Sequence, residues 1–231
     1  MRPRAELTRR VLLRALLAAG GISPGLLFAA RAASKKPVAQ GVRELTGDVR
    51  INGRPAQLGQ IVHPGDTVTT GPDSGTTIVI DPHAFLLREN SELEFTPDLL
   101  EDDSSGVSGS LKLAHCAMLA VFGRNKGVRI NTPAATVGIR GTACYIDARP
   151  ARTYACICYG RAELAAAASG ELLETVDTKH HESPRYIYPA GAPRAIEPAP
   201  VIDHSDAELR LLEALFERVP PFDSGDGKKT Y

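Results

Sequence analysis

Val128-Arg-Ile-Asn-Thr-Pro-Ala-Ala-Thr-Val-Gly-Ile-Arg-Gly-Thr-Ala-Cys-Tyr-Ile-Asp147, continued by Arg152-Thr-Tyr-Ala-Cys-Ile-Cys-Tyr-Gly160, carries the strongest β pattern of the chain and three of its four cysteines. β-Branched and aromatic residues suit a pleated, half-buried surface. Thr132-Pro133 disfavours helix ahead of the strand, and Gly138 and Gly141 permit backbone geometry or close packing that a Cβ would obstruct. Arg140 is expected to fix a turn through an acidic neighbour or main-chain carbonyls. A reversal centred on Arg149-Pro150-Ala151 places Cys144 opposite Cys156, with Cys158 on the same face of the returning strand, because side chains recur with period two.

Working outward, residues 42–95 hold short β-branched runs separated by turn residues: 48–51, 67–70, 76–80, 85–87 and 93–95. Asn52-Gly53 between two such runs is a strong hairpin signal. A polar interval at 101–109 reads as an exposed loop, with Asp102-Asp103 as surface charge. Residues 110–122 suit either a strand pair or a short helix. Beyond Gly160, 162–164 and 172–176 suit another hairpin, and 185–188 the last strand. Pro189, Pro193, Pro198 and Pro200 then argue against regular pairing. One helix is expected at 205–219: Ser205-Asp-Ala-Glu208 is a capping box, and Leu209, Leu212, Leu215, Phe216 and Val219 form one apolar stripe. The expected fold is therefore all-β, a compact short-stranded sandwich or solenoid-like β domain at 42–190. A Pro-rich connector (191–204), one C-terminal α-helix (205–219) and a loose tail (220–231) follow.

The first 33 residues read as an export signal, with a linker at 34–41. Arg2, Arg4, Arg9 and Arg10 precede an apolar run from Ala15 to Ala30 that ends in the small-residue pattern Ala30-Arg31-Ala32. Gly20, Gly21 and Pro24-Gly25 interrupt that run, whereas a spanning helix needs roughly 20 continuous apolar residues. Thr8-Arg9-Arg10-Val11-Leu12-Leu13-Arg14 resembles a twin-arginine signal, which implies periplasmic localisation. The segment holds six of the chain's 27 basic residues and one of its 27 acidic ones, leaving a formal net charge of −5. That balance and the absence of Trp exclude a typical nucleic-acid binder, which concentrates positive charge on one face. The expected partner is an envelope protein or a small ligand, with no transmembrane helix in the mature chain.

Five pieces in order give the chain a family resemblance: Gly47-Asp-Val-Arg-Ile-Asn-Gly53, Gly65-Asp-Thr-Val-Thr-Thr-Gly71, Ile80-Asp81, Asn90-Ser-Glu-Leu-Glu-Phe95, and Asn131-Thr-Pro133 with Val137-Gly-Ile-Arg-Gly-Thr142. Together they resemble a FecR-type domain over about half of the chain. The resemblance implies a bacterial cell-envelope protein with a short-stranded all-β body. The best-known members regulate sigma factors through a cytoplasmic segment and a membrane helix. This chain begins instead with an export signal, so the resemblance implies a stand-alone exported form acting as a binding or sensing module.

Chemistry is expected at the thiols. Cys156 and Cys158 with His180 or His181 would suit a soft or borderline ion such as zinc or copper. Thr178-Lys179 and Ser183-Pro184 give the two histidines the loop they would need to bind one ion. The alternatives are a disulfide from Cys144 to Cys156 or Cys158, or free thiols. The runner-up function is a thiol- or metal-dependent redox enzyme, for instance with Cys158 as nucleophile and His181 as base. No Gly-x-Ser-x-Gly, phosphate loop or His-Glu-x-x-His is present.

Overall fold

The computed structural model describes residues 38–96, 107–123 and 127–224. The expected export signal, the first half of the linker, Asp102-Asp103 and the end of the tail lie outside them. Among the described residues no helix is long and apolar enough to cross a membrane. The fold among the described residues is all-β with one helix, near the C-terminus, as the turn-punctuated sequence predicts.

Seven strands lie between residues 38 and 96: β1 Gly41–Thr46, β2 Val49–Ile51, β3 Arg54–Pro55, β4 Thr67–Thr70, β5 Gly75–Ile80, β6 His83–Leu87 and β7 Glu92–Phe95. Asn52 and Gly53 both take positive φ, 52° and 75°, the geometry of a tight two-residue hairpin between β2 and β3. Then come β8 Val107–Val121, β9 Gly127–Asn131, β10 Ala135–Arg149, β11 Arg152–Ala166, β12 Leu172–Thr178, β13 Arg185–Ile187 and β14 Ile196–Pro198. All belong to one hydrogen-bonded sheet. The 110–122 run is thus neither a strand pair nor a helix but most of a single 15-residue strand. Its C-terminal half pairs with β10 on one side and β6 on the other, so the apolar run is consumed on both edges.

The long strands β10 and β11 support the site. They pair from Arg149↔Arg152 back to Ala135↔Ala166, which leaves only Pro150 and Ala151 in the turn. A two-residue loop shifts the register by one from a reversal centred on Pro150. Tyr145 therefore lies opposite Cys156, and Cys144 opposite Ile157. A one-residue slip exchanges faces. Cys144 consequently packs in one apolar layer with Ile146, Ile157 and Phe85, while Cys156 and Cys158 pack in the other with Tyr145, Tyr154 and Leu119.

Two irregularities adjust this ladder. Arg140↔Arg161 is followed by Ala143↔Tyr159, so Gly141 and Thr142 oppose Gly160 alone. Gly141 and Gly160 both have positive φ, and a Cβ on Gly160 would lie 2.7 Å from Thr142. Gly138, by contrast, has room for a Cβ, whose nearest neighbours would stand 3.8 Å away. Before the bulge Val137 and Ile139 face the first layer; after it Cys144 and Ile146 do. The extra residue thus switches parity and keeps the layer apolar across the bend. The next register step leaves Cys158 without a direct partner between Ala143↔Tyr159 and Cys144↔Ile157. This second bulge sets Cys158 and Tyr159 in the same layer.

Two corrections concern the C-terminal region. The Pro-rich connector does contribute a strand, because β14 is at the sheet edge and needs few ladder donors; Pro198 stands opposite Arg185 at its end. The helix, α1, covers Asp206–Ala214 rather than 205–219. Its predicted capping box is present in full. It ends early because Glu217 adopts φ 56°, and the Arg218 N–H returns to the Glu213 carbonyl at 3.1 Å. Leu209, Leu212 and Phe216 are buried against the second layer, whereas Val219 is 65% exposed and drops off the stripe. Burying three such side chains contributes about 1.5–3 kcal/mol each. The helix therefore docks in cis.

Candidate metal centre

Three chain segments meet on the second layer. β11 presents Cys156 and Cys158, both fully buried. The turn after β12 presents His180 and His181, with the His181 N–H bonded to the Cys158 carbonyl at 3.0 Å. The segment leading into α1 presents His204, immediately before the N-cap Ser205. His181 adopts φ 50° and Asp203 φ 55°. Left-handed backbone at a non-glycine residue is costly and persists where surrounding contacts fix it. His181 belongs to the cluster, and Asp203 immediately precedes its member His204.

The thiols of Cys156 and Cys158 and the rings of His181 and His204 each offer one ligand atom, all within 4.8 Å of one another. Cys156 Sγ stands 3.4 Å from His181 Nδ1, and His181 Nδ1 stands 3.0 Å from His204 Nε2. A tetrahedral zinc with Zn–N near 2.0 Å and Zn–S near 2.3 Å has ligand–ligand edges of roughly 3.3–3.8 Å. These two spacings fall close to those edges.

Outer hydrogen bonds fix how the two rings present themselves. His204 Nδ1 lies 2.6 Å from the Ile202 carbonyl, which can only accept, so Nδ1 carries a proton. Its Nε2 then turns toward the cluster. His181 Nε2 lies 3.0 Å from the Asp206 carboxylate, so that nitrogen also donates and Nδ1 turns inward. Two imidazole lone pairs consequently face each other across 3.0 Å. They repel unless a cation, proton or metal, sits between them. Tyr145 stacks on His204 with ring centroids 4.8 Å apart and an 11° tilt, which holds that ring in plane.

The electrostatics are those of a thiolate beside imidazoles. Hydrogen bonding from Cys158, and then from His181 and His204, outweighs burial and lowers the Cys156 thiol to about 4. Burial, reinforced by adjacent Cys156, pushes Cys158 well above the ordinary thiol value. The pair thus shares one proton. Burial disfavours the charged form of His181, but Cys156 and Asp206 overcome it and raise the ring above its usual value.

His180 turns aside. It is about half exposed, stacks on Phe222 at 4.5 Å and meets Asp206 at 2.9 Å, outside the four-ligand cluster. His181, His180 and Asp206 form a second potential ligand group that shares His181 with the first. The structure therefore brings together Cys156, Cys158 and His181 among the expected ligands and adds His204. All four cysteines are free thiols. The expected Cys144–Cys156 bridge is not formed, because the register sets the two thiols in opposite layers.

No family model matches the chain, and neither does any curated protein. Two crystal structures of a "putative anti-sigma factor" from Parabacteroides distasonis, at 1.65 Å and 2.50 Å resolution, are similar to it. Each has a TM-score of 0.45 and 9% sequence identity, with 57% of this chain and 59% of that chain covered. The alignment thus spans less than two thirds of the solved protein.

His204 has no sequence motif: it stands alone in the Pro-rich connector, 23 residues from His181. The one available signal was its position directly before the capping box. A docked helix fixes the residue that precedes its cap.

Proposed function

We propose that the chain is an exported, non-enzymatic FecR-like module of the bacterial envelope, acting in the periplasm, that binds or senses a soft or borderline metal ion such as zinc or copper. The ordered motifs from Gly47 to Thr142 and the basic, apolar N-terminus support the family and the address. The two inward-turned imidazole nitrogens, 3.0 Å apart and beside Cys156, carry the metal assignment. Chains purified from the periplasm should contain one metal equivalent, lost when Cys156→Ser and Cys158→Ser are combined. Metal-free protein that takes up no zinc or copper would overturn the assignment. Replacing Arg9→Lys and Arg10→Lys should block export; unchanged export refutes the twin-arginine route.

A thiol-dependent redox enzyme is the second reading, favoured by the 3.4 Å contact between Cys156 and His181. A thiolate next to an imidazole is a reactive arrangement. Complete burial of both Cys156 and Cys158 weighs against it, since a substrate disulfide must reach the sulfur. Rapid reduction of a small disulfide by the metal-free protein, abolished by Cys156→Ser, would favour the enzyme.

A further inference from the structure

Resting on the metal-binding proposal, we infer that the site is a closed Cys2His2 zinc centre completed by the C-terminal segment, in which Asp206 is a positioning residue and metal loading is linked to docking of α1. Four protein ligands leave no open coordination position, the arrangement of structural rather than catalytic zinc. Tetrahedral N2S2 donation selects zinc over ions that prefer square or octahedral oxygen sites. Two thiolates also offset the double charge of the ion, which a buried centre requires. Each thiol that enters protonated releases one proton to solvent as its Zn–S bond forms, and no electron moves.

The ligands come from elements held to different degrees. Cys156 and Cys158 belong to β11, which is paired along most of its length. His204 and Asp206 belong to a segment that the sheet fixes by other means. Tyr154 Oη donates to the Pro200 carbonyl at 2.9 Å; Arg88 bonds the Asp203 carbonyl at 2.8 Å and Glu208 at 2.7 Å. Leu209, Leu212 and Phe216 bury the helix itself. These contacts hold α1 down without the ion and bring the fourth ligand, His204, to the two thiols and His181. Asp206, the first residue of α1, accepts from His181 Nε2 and thereby aims Nδ1 inward. A carboxylate behind a ligating imidazole fixes its orientation and raises its basicity. Because coupling between two equilibria is reciprocal, whatever docking adds to metal affinity, metal adds to docking.

The test uses the full exported chain, stripped of metal and titrated with cobalt(II) as a spectroscopic stand-in and then with zinc. The wild type should show tetrahedral cobalt absorption with thiolate charge transfer. Zinc should slow hydrogen exchange at amides 204–214. Asp206→Asn should weaken zinc by about 10–100-fold and reduce that slowing, with the tetrahedral spectrum retained. His204→Cys should still bind cobalt and gain charge-transfer intensity from a third thiolate, a change that a merely structural role for His204 would not produce. Cys144→Ser, in the opposite layer, should titrate as wild type. Tetrahedral cobalt binding that is indifferent to Asp206→Asn and spectrally unchanged in His204→Cys overturns the inference and leaves metal binding standing. Absence of any cobalt or zinc binding in the wild type overturns both. Apo variants are first checked to be folded by a cooperative thermal unfolding transition above the titration temperature, and a third variant, Asp206→Glu, should recover most of the affinity.

Discussion

The two layers flanking β10 and β11 hold two cysteines each, and the same residue type does different things in them. Cys116 and Cys144 face the layer built from Phe85, Phe95, Leu111 and Leu113, and among the described residues neither belongs to a potential ligand group. Burial pushes the Cys116 thiol up to about 12 and Cys144 higher still. These are small apolar side chains that happen to carry sulfur. Cys156 and Cys158 are equally buried, yet they face His181 and His204. Burial alone therefore does not make a thiol inert; what the opposing segment contributes decides it. The first layer is closed by other strands of the sheet, the second by a C-terminal segment rich in polar tips.

The largest effect should separate the layers by stability. Phe85 is fully buried and packs edge-on against Phe95 and Phe122, with centroids 5.2 and 5.9 Å apart. Phe85→Ala should cost about 3–5 kcal/mol of unfolding free energy, measured by denaturant titration, while folded molecules keep their metal affinity. A loss confined to metal affinity would mean that the layers are not distinct. Cys144→Ser comes next. It inserts an unpartnered hydroxyl into the first layer and should cost about 1–3 kcal/mol. The thiols give a companion measurement. In native protein Cys116 and Cys144 should resist alkylation at pH 8, well below the raised thiol values, and react only after unfolding. Alkylation of either without unfolding breaks the comparison.

Much of this contrast could be read in the sequence, and the part that could not has physical causes. Asn52-Gly53 and the Ser205 capping box are local signals whose chemistry acts over two to four residues, and both hold in the structure. The faces of Cys144 and Cys156 depend on whether a reversal at Pro150 uses two residues or three. No side-chain pattern distinguishes these, because the surrounding strands are apolar on both faces. Bulges at Gly141-Thr142 and Cys158 shift parity again. His204 was hidden for a different reason: its proximity to His181 is created by docking of α1, a tertiary event. β14 escaped notice because prolines argue against pairing in general, although an edge strand tolerates them.

The smallest expected effect is the most informative about how far the two layers communicate. Ser205 Oγ accepts from the Glu208 N–H at 3.4 Å, while Glu208 Oε2 receives the Ser205 N–H at 2.9 Å and Glu208 Oε1 meets Arg88. Ser205→Ala removes one half of that reciprocal cap and should cost about 1 kcal/mol. Leu209, Leu212 and Phe216 remain buried, so their larger contribution keeps α1 docked. The loosened residues are the ones beside His204 and Asp206, however, so the change should be felt at the metal centre before it is felt in the sheet. A few-fold loss of zinc affinity with exchange protection in β8 and β10 unaltered would show that the cap serves the second layer alone. Equal loss of protection in both layers would instead make the sheet and its C-terminal cover one cooperative unit.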